Sequence, residues 1–127
     1  MEKKFYYCKR CGNVVVKQVD SGVDMVCCGE KMQELVPNTK DGAREKHLPV
    51  VEKLENGGIR VTVGIEPHPM TPEHRILFIY LQTENGGKVR YLDHATTATA
   101  DFCGCDDKLV AVYEYCNLHG LWKTEIK

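Results

Sequence analysis

A cysteine and a histidine stand three positions apart in Tyr115-Cys116-Asn117-Leu118-His119-Gly120-Leu121-Trp122, directly after an apolar run. A thiolate and an imidazole at that spacing reach one metal ion from a tight turn. Two donors are too few for a complete site, so the others must come from upstream. His47 is one candidate. His68 and His74, in Glu66-Pro67-His68-Pro69-Met70-Thr71-Pro72-Glu73-His74, are two more. Pro67, Pro69 and Pro72 make this segment a stiff loop and rule out a helical i, i+4 pair. One isolated histidine is more often a surface or core residue than a ligand. Three of them together with Cys116-x2-His119 point to a metal site. His94, in the polar segment Asp93-His94-Ala95-Thr96-Thr97, has no donor near it in sequence and reads as a surface histidine.

A second constellation lies at the other end of the chain. Cys8-x2-Cys11 is followed by fifteen residues and then by the adjacent pair Cys27-Cys28. Cys-x2-Cys is a common half-site because a tight turn points both sulfurs inward. Four thiolates suit a tetrahedral ion, and the spacing leaves zinc and iron both open. Neighbouring side chains of a strand point to opposite faces, so Cys27 and Cys28 share an ion only if the backbone bends there. A plain structural zinc knot satisfies the same spacing. Cys103-Gly104-Cys105 has no further donor to complete a third site and reads as two ordinary thiols.

The surrounding composition limits what such sites serve. The chain has 127 residues, 43% hydrophobic and 28% charged, as in a soluble globular protein. A net charge of -1 offers no electrostatic case for nucleic-acid binding. No apolar run approaches the roughly 20 residues that cross a bilayer. The stretch Met1 to Cys8 lacks the apolar core of a secretory signal, so a cytoplasmic protein is expected. Seven cysteines cannot all pair within one chain, and clustered thiols in a reducing compartment are metal ligands more often than disulfides.

Two units must position these donors. Residues 1–36 form the first, with short strands over Val14–Val19 and Val23–Cys27 around a turn at Asp20-Ser21-Gly22. It holds too little apolar material for a core, and four cysteines on one metal would staple it. Residues 37–127 form the second, opening with a linker over 37–44. Its signals are β. Pro49–Leu54 is a strand, and Glu55-Asn56-Gly57-Gly58 reads as a type I′ hairpin turn. Ile59, Val61, Val63 and Ile65 alternate with Arg60, Thr62 and Gly64, which buries one face. Arg75–Gln82 reads as a central strand covered on both sides. Glu84-Asn85-Gly86-Gly87 repeats the earlier turn, Lys88–Leu92 pairs back, and Leu109–Cys116 is a further strand. No stretch shows helical periodicity, and short strands between turn signals argue for an antiparallel β-sandwich.

These motifs resemble the desulfoferrodoxins, the two-iron superoxide reductases, over essentially the whole chain. Cys8-x2-Cys11 with Cys27-Cys28 is similar to the desulforedoxin-type iron site. Glu45-Lys46-His47-x-Pro49, His68-Pro69-Met70 with Glu73-His74, and Cys116-Asn117-Leu118-His119-Gly120-Leu121-Trp122-Lys123 are similar to the catalytic domain. The resemblance implies a small Fe(Cys)4 domain followed by an immunoglobulin-like sandwich, with iron at both sites. By the family pattern His47, His68, His74 and His119 lie equatorially around the second iron and Cys116 is axial. Opposite Cys116 an open position takes superoxide. The implied reaction joins superoxide, one electron and two protons into hydrogen peroxide, a protection against oxidative stress. The pattern further implies that Lys46 steers superoxide and helps protonate the product, and that Glu45 binds the oxidised iron. It also implies a rubredoxin-like electron donor and a homodimer. Two competing readings come from other classes. One is a zinc-ribbon-like unit joined to a β-sandwich binding module, and the other a pure electron-transfer protein with both irons closed to substrate.

Overall fold

The computed structural model describes residues 3–39, 44–65, 68–93, 97–103 and 107–126, with the backbone alone for Arg44 and Glu45. Pro67, His94, Cys105 and the Asp41-Gly42 part of the linker lie outside the described residues. The chain divides into two compact units, Met1–Val36 and Pro37–Lys127.

In the first unit, β1 (Phe5–Tyr7) is the middle strand of a three-stranded antiparallel sheet, between β2 (Val14–Val16) and β5 (Gln33–Leu35). A two-stranded ribbon joins β3 (Val26–Cys27) to β4 (Glu30–Lys31). Both strands expected here are shorter than the sequence suggested. Lys17 leaves the ladder to donate to the Val23 carbonyl at 2.7 Å, and Asp20 Oδ1 accepts from the Gly22 N–H at 2.8 Å. That local turn withdraws Val19 and Val23 from pairing and leaves them 87% and 70% exposed. The buried apolar residues of this unit are Phe5, Cys8 and Met32. So small a core gives little stabilisation on its own, which leaves room for a metal to do that work.

The second unit is a sandwich of two antiparallel sheets. One has the order β10-β7-β6, from β6 (Pro49–Lys53), β7 (Ile59–Val63) and β10 (Thr99–Phe102). The other has the order β12-β11-β8-β9, from β8 (Ile76–Thr83), β9 (Gly87–Tyr91), β11 (Leu109–Cys116) and β12 (Gly120–Glu125). The chain changes sheet between β7 and β8, between β9 and β10 and again between β10 and β11, which makes the sandwich immunoglobulin-like. One helical turn, α1 (Arg44–His47), precedes β6. The protein is therefore mainly β, as expected.

Alternation places the core. Val61 and Val63 of β7, Ile79 and Leu81 of β8, Ala100 and Phe102 of β10 and Val112 of β11 pack together with Ile76, Ala98 and Cys116. Fully burying one such aliphatic side chain stabilises by about 1.5–3 kcal/mol. Cys116 is thus a core residue as well as a metal-donor candidate. Ile65 departs from the expected alternation and is 84% exposed. Strand β7 ends at Val63, where Pro49 is its last partner, so residues beyond it leave the ladder.

The two Glu-Asn-Gly-Gly turns differ from each other. In the first, Gly57 alone takes a positive φ (84°), and its N–H donates to the Leu54 carbonyl at 3.0 Å. Asn56 has negative φ, so the loop is a type I turn closed by a left-handed glycine and not type I′. In the second, Asp107 accepts from Thr83 Oγ1 at 2.6 Å and from the Asn85 N–H at 3.0 Å. A residue from the β10–β11 connection thus shapes that turn. Strands β1, β4, β5, β10 and β12 had no clear sequence signal: they are short or, in β12, overlap the donor motif. No helix among the described residues is long and apolar enough to cross a membrane.

Candidate metal centres

In the first unit the turn after β1 brings Cys8 and Cys11 together. The Gly12 N–H donates to the Cys8 carbonyl at 2.8 Å, and the Cys8 N–H to the Asn13 carbonyl at 2.9 Å. Cys27 ends β3 and Cys28 follows with φ of 53°. A positive φ at a non-glycine residue is uncommon, and here it supplies the backbone bend that the adjacent pair requires. The four sulfurs lie within 4.8 Å of one another, with Cys11 and Cys27 3.6 Å apart. Asn13 Nδ2 donates to Cys27 Sγ at 3.6 Å.

The electrostatics of this cluster call for a cation. The backbone N–H of Cys11, more than any other group, lowers the Cys8 thiol to about 6. Sharing protons with Cys11, then with Cys8 and Cys27, raises Cys28 to about 12. The Cys8 proton leaves readily, whereas Cys27 and Cys28 keep theirs because they share them in hydrogen bonds with Cys11 and Cys8. A metal ion removes that conflict by accepting all four sulfurs as thiolates.

The second cluster draws on three separate segments of the sandwich unit. His47 ends α1 and is 2% exposed; His68 is 6% exposed in the loop between β7 and β8. His74 lies just before β8. Cys116 ends β11, fully buried, opposite Ile76 on β8 and Gly120 on β12. His119 sits in the turn that follows, where Gly120 takes the positive φ (79°) that sends the chain back.

All five donor atoms fall within 4.8 Å of one another. The four imidazoles close a ring, in the order His47, His68, His74, His119. Neighbouring centroids are 4.7, 4.8, 5.0 and 4.7 Å apart, with interplanar angles of 79°, 79°, 68° and 80°. Each ring is therefore edge-on to the next. His47 Nε2 lies 3.2 Å from His68 Nε2 and 3.0 Å from His119 Nδ1, and Cys116 Sγ lies 3.8 Å from His119 Nδ1.

A hydrogen bond at its outer end fixes the His68 ring. His68 Nδ1–H donates to the Pro69 carbonyl at 2.7 Å, which leaves Nε2 with a lone pair facing the cluster. Burial pushes the His68 imidazole down to about 4, and lowers His74 as well, with His119 and Lys46 adding to the effect. Both rings are neutral, the form that ligates metal. His74 Nε2 is buried with no hydrogen-bond partner. Burial raises the Cys116 thiol, while the backbone N–H groups of Leu118 and His119 favour its thiolate. A buried orphan nitrogen, converging imidazole nitrogens and a buried thiol fit a cation of borderline softness.

Lys46 is exposed, and its charge is felt at His74. The side chain of Glu45 lies outside the described atoms. Cys103 is exposed and belongs to neither cluster. Sequence reasoning assigned no role to three neighbours of the site. Trp122 stacks on His47, with centroids 5.0 Å apart and planes at 23°, and its Nε1–H donates to the His119 carbonyl at 3.1 Å. Asn117 bonds the segment around His74. Glu114 is fully buried with no partner for either oxygen, and burial raises its carboxyl well above the usual range. The available signals were the single tryptophan of the chain and a charged residue inside an apolar strand.

A tetrathiolate cluster and a ring of four imidazoles with one thiolate, the latter on an immunoglobulin-like sandwich, define a two-centre non-haem metalloprotein. The desulfoferrodoxin family model matches residues 39–125. The desulfoferrodoxin of Nitratidesulfovibrio vulgaris is 46% identical over 122 residues, covering 96% of this chain and 95% of that protein. The superoxide reductase of Pyrococcus horikoshii is 38% identical over 104 residues, covering 68% of this chain and 90% of that protein. The crystal structure of the superoxide reductase from Treponema pallidum superposes with a TM-score of 0.81 at 32% identity, covering 98% of this chain and 100% of that chain. The chain belongs to the desulfoferrodoxin family, and its two clusters are that family's two iron centres.

Proposed function

We infer that this protein is a superoxide reductase, which converts superoxide, one electron and two protons into hydrogen peroxide. The observation that carries this is the closed ring of four imidazoles with the buried Cys116 thiol as fifth donor. We assign His47, His68, His74, His119 and Cys116 as ligands of the second iron, and Cys8, Cys11, Cys27 and Cys28 as ligands of the first. Ferrous iron held by the second set of residues would supply the one electron for the reduction of superoxide.

The protein's own residues prepare that step. Neutral histidines add no negative charge, so the site stays attractive to an anion. Burial raises the Cys116 thiol, and the N–H groups of Leu118 and His119 offset part of that cost, so its thiolate would be completed by the iron it binds. Lys46, exposed and close enough to act on His74, draws superoxide inward and carries a proton on Nζ for the product. Trp122 holds the His47 ring plane, and the Pro69 carbonyl holds the His68 tautomer. Glu45 keeps the role that the family pattern gives it, as a residue of the oxidised state. A homodimer in the cytoplasm, re-reduced by a small rubredoxin-like carrier, completes the proposal and rests on the family pattern.

Metal analysis and superoxide consumption test this together. Protein made with iron available is expected to hold two irons per chain and to be coloured when oxidised. It should yield peroxide from superoxide without evolving oxygen. Iron-loaded Cys116→Ser is expected to lose reductase activity and keep the first centre's spectrum, because serine is a harder and less donating ligand. Zinc at both sites would sink the reading in favour of a binding module. Failure of azide or cyanide to bind the second iron would favour a pure electron carrier.

A further inference from the structure

Asn117 follows Cys116 directly and makes three hydrogen bonds to one short piece of chain. Its Nδ2 donates to the Glu73 carbonyl at 2.9 Å, and its Oδ1 accepts from the Arg75 N–H at 2.9 Å. Its backbone N–H donates to the Arg75 carbonyl at 3.2 Å. Glu73 and Arg75 are the residues on either side of His74. One carboxamide therefore brackets His74 from a residue covalently attached to Cys116.

Other described bonds tie the His74 backbone itself, but only to Thr71. The His74 N–H donates to Thr71 Oγ1 at 3.0 Å, and the Thr71 N–H to the His74 carbonyl at 3.0 Å, so both bonds stay within the loop itself. The buried Nε2 of the imidazole has no hydrogen-bond partner among the described residues. Where the ring points thus depends on how its backbone is tied to the rest of the site. Strand β8 begins only at Ile76, and the β8–β11 register shifts between Tyr115 and Cys116. The ladder is irregular where these two donors meet, and Asn117 bridges that gap.

We propose that Asn117 is a positioning residue for His74, fixing that imidazole relative to the Cys116 thiolate. The proposal rests on the reading of both residues as ligands of the second iron. The residue type suits the task. Bonding one carbonyl and one N–H at once needs a donor and an acceptor on a short side chain, which a carboxamide supplies. Aspartate keeps only the acceptor, and alanine keeps neither. Asn117 is exposed and lies outside the hydrophobic core, so its replacement leaves the sandwich packing in place.

The test compares ferrous-iron affinity and the visible spectrum at the second site in wild type, Asn117→Ala and Asn117→Asp. Each change is also made in a His74→Ala background. Loss of an outer hydrogen-bond partner of a metal ligand typically weakens binding about 10–100-fold. Asn117→Ala is expected to show a loss of that size and a shifted thiolate-to-iron absorption, with the first centre's spectrum unchanged. Asn117→Asp is expected to fall between alanine and wild type. In the His74→Ala background Asn117→Ala should weaken binding no further, because the residue it positions is gone. Equal losses with and without His74 would show an effect on general stability and overturn the proposal, as would wild-type affinity and spectrum in Asn117→Ala. Superoxide turnover is not read, so a wild-type protein that binds iron but leaves superoxide intact overturns the functional reading alone.

Discussion

Replacing Trp122 with phenylalanine separates what the indole does for the imidazole ring from what an apolar side chain does for the core. Trp122 is 1% exposed, faces His47 at 5.0 Å and donates from Nε1 to the His119 carbonyl at 3.1 Å. Phenylalanine keeps an aromatic face but loses the donor and part of the volume. A lost neutral hydrogen bond costs about 1 kcal/mol. A cavity of roughly 40 Å³, at about 24 cal/mol per Å³, adds about 1 kcal/mol. The sum of about 2 kcal/mol corresponds to a fall in Tm of about 8–16 °C for a domain of this size. Thermal unfolding of the metal-free protein, followed by circular dichroism, measures it without the iron's own contribution. The same variant should bind the second iron about 10–100-fold more weakly, since the indole orders two of the imidazoles. The first centre's spectrum serves as the internal control. An unchanged Tm with unchanged iron affinity would refute the argument that the indole organises His47 and His119.

Three further outcomes follow from the same geometry. Lys46→Ala should slow the encounter with superoxide by about tenfold at low salt and flatten its dependence on ionic strength; pulse radiolysis over a salt series measures this, and an unchanged rate makes Lys46 an ordinary surface lysine. The metal-free protein should lose stability as the pH falls from 6.5 towards 4, because burial holds the folded His68 imidazole at about 4 while the unfolded chain already binds a proton there. Melting curves across that window should show a smaller loss in His68→Gln. Cys11→Ser should abolish the first centre and unfold its small unit, whose buried apolar residues are Phe5, Cys8 and Met32, yet keep single-turnover superoxide reduction. All five donors of the second site lie within Pro37–Lys127, and loss of the reaction with that iron still in place would show the centres to be coupled.

Which residues cluster as candidate metal donors was legible in the sequence where the donors come in local pairs. Cys8-x2-Cys11 and Cys116-x2-His119 each sit in one turn, and a turn's geometry depends on residues close in sequence. The same holds for β11, whose apolar run Leu109–Cys116 is the strand observed, and for the inward face of β7. The arrangement of the second site was not legible that way. His47 and His119 stand 72 residues apart and meet at 3.0 Å only because α1 and the β11–β12 turn reach the same place. The cyclic order of the imidazoles, the bracket of Asn117 around His74 and the stacking of Trp122 on His47 all arise from such long-range pairing. Periodicity and spacing report only what neighbours in the chain do to each other. Local chemistry overrode pattern where a side chain could bond the backbone, as Lys17 and Asp20 do in ending the first valine strand and Asp107 does in reshaping the second Glu-Asn-Gly-Gly turn. The chain thus carries the donor identities in its sequence, and the fold alone sets the distances and angles at which they meet.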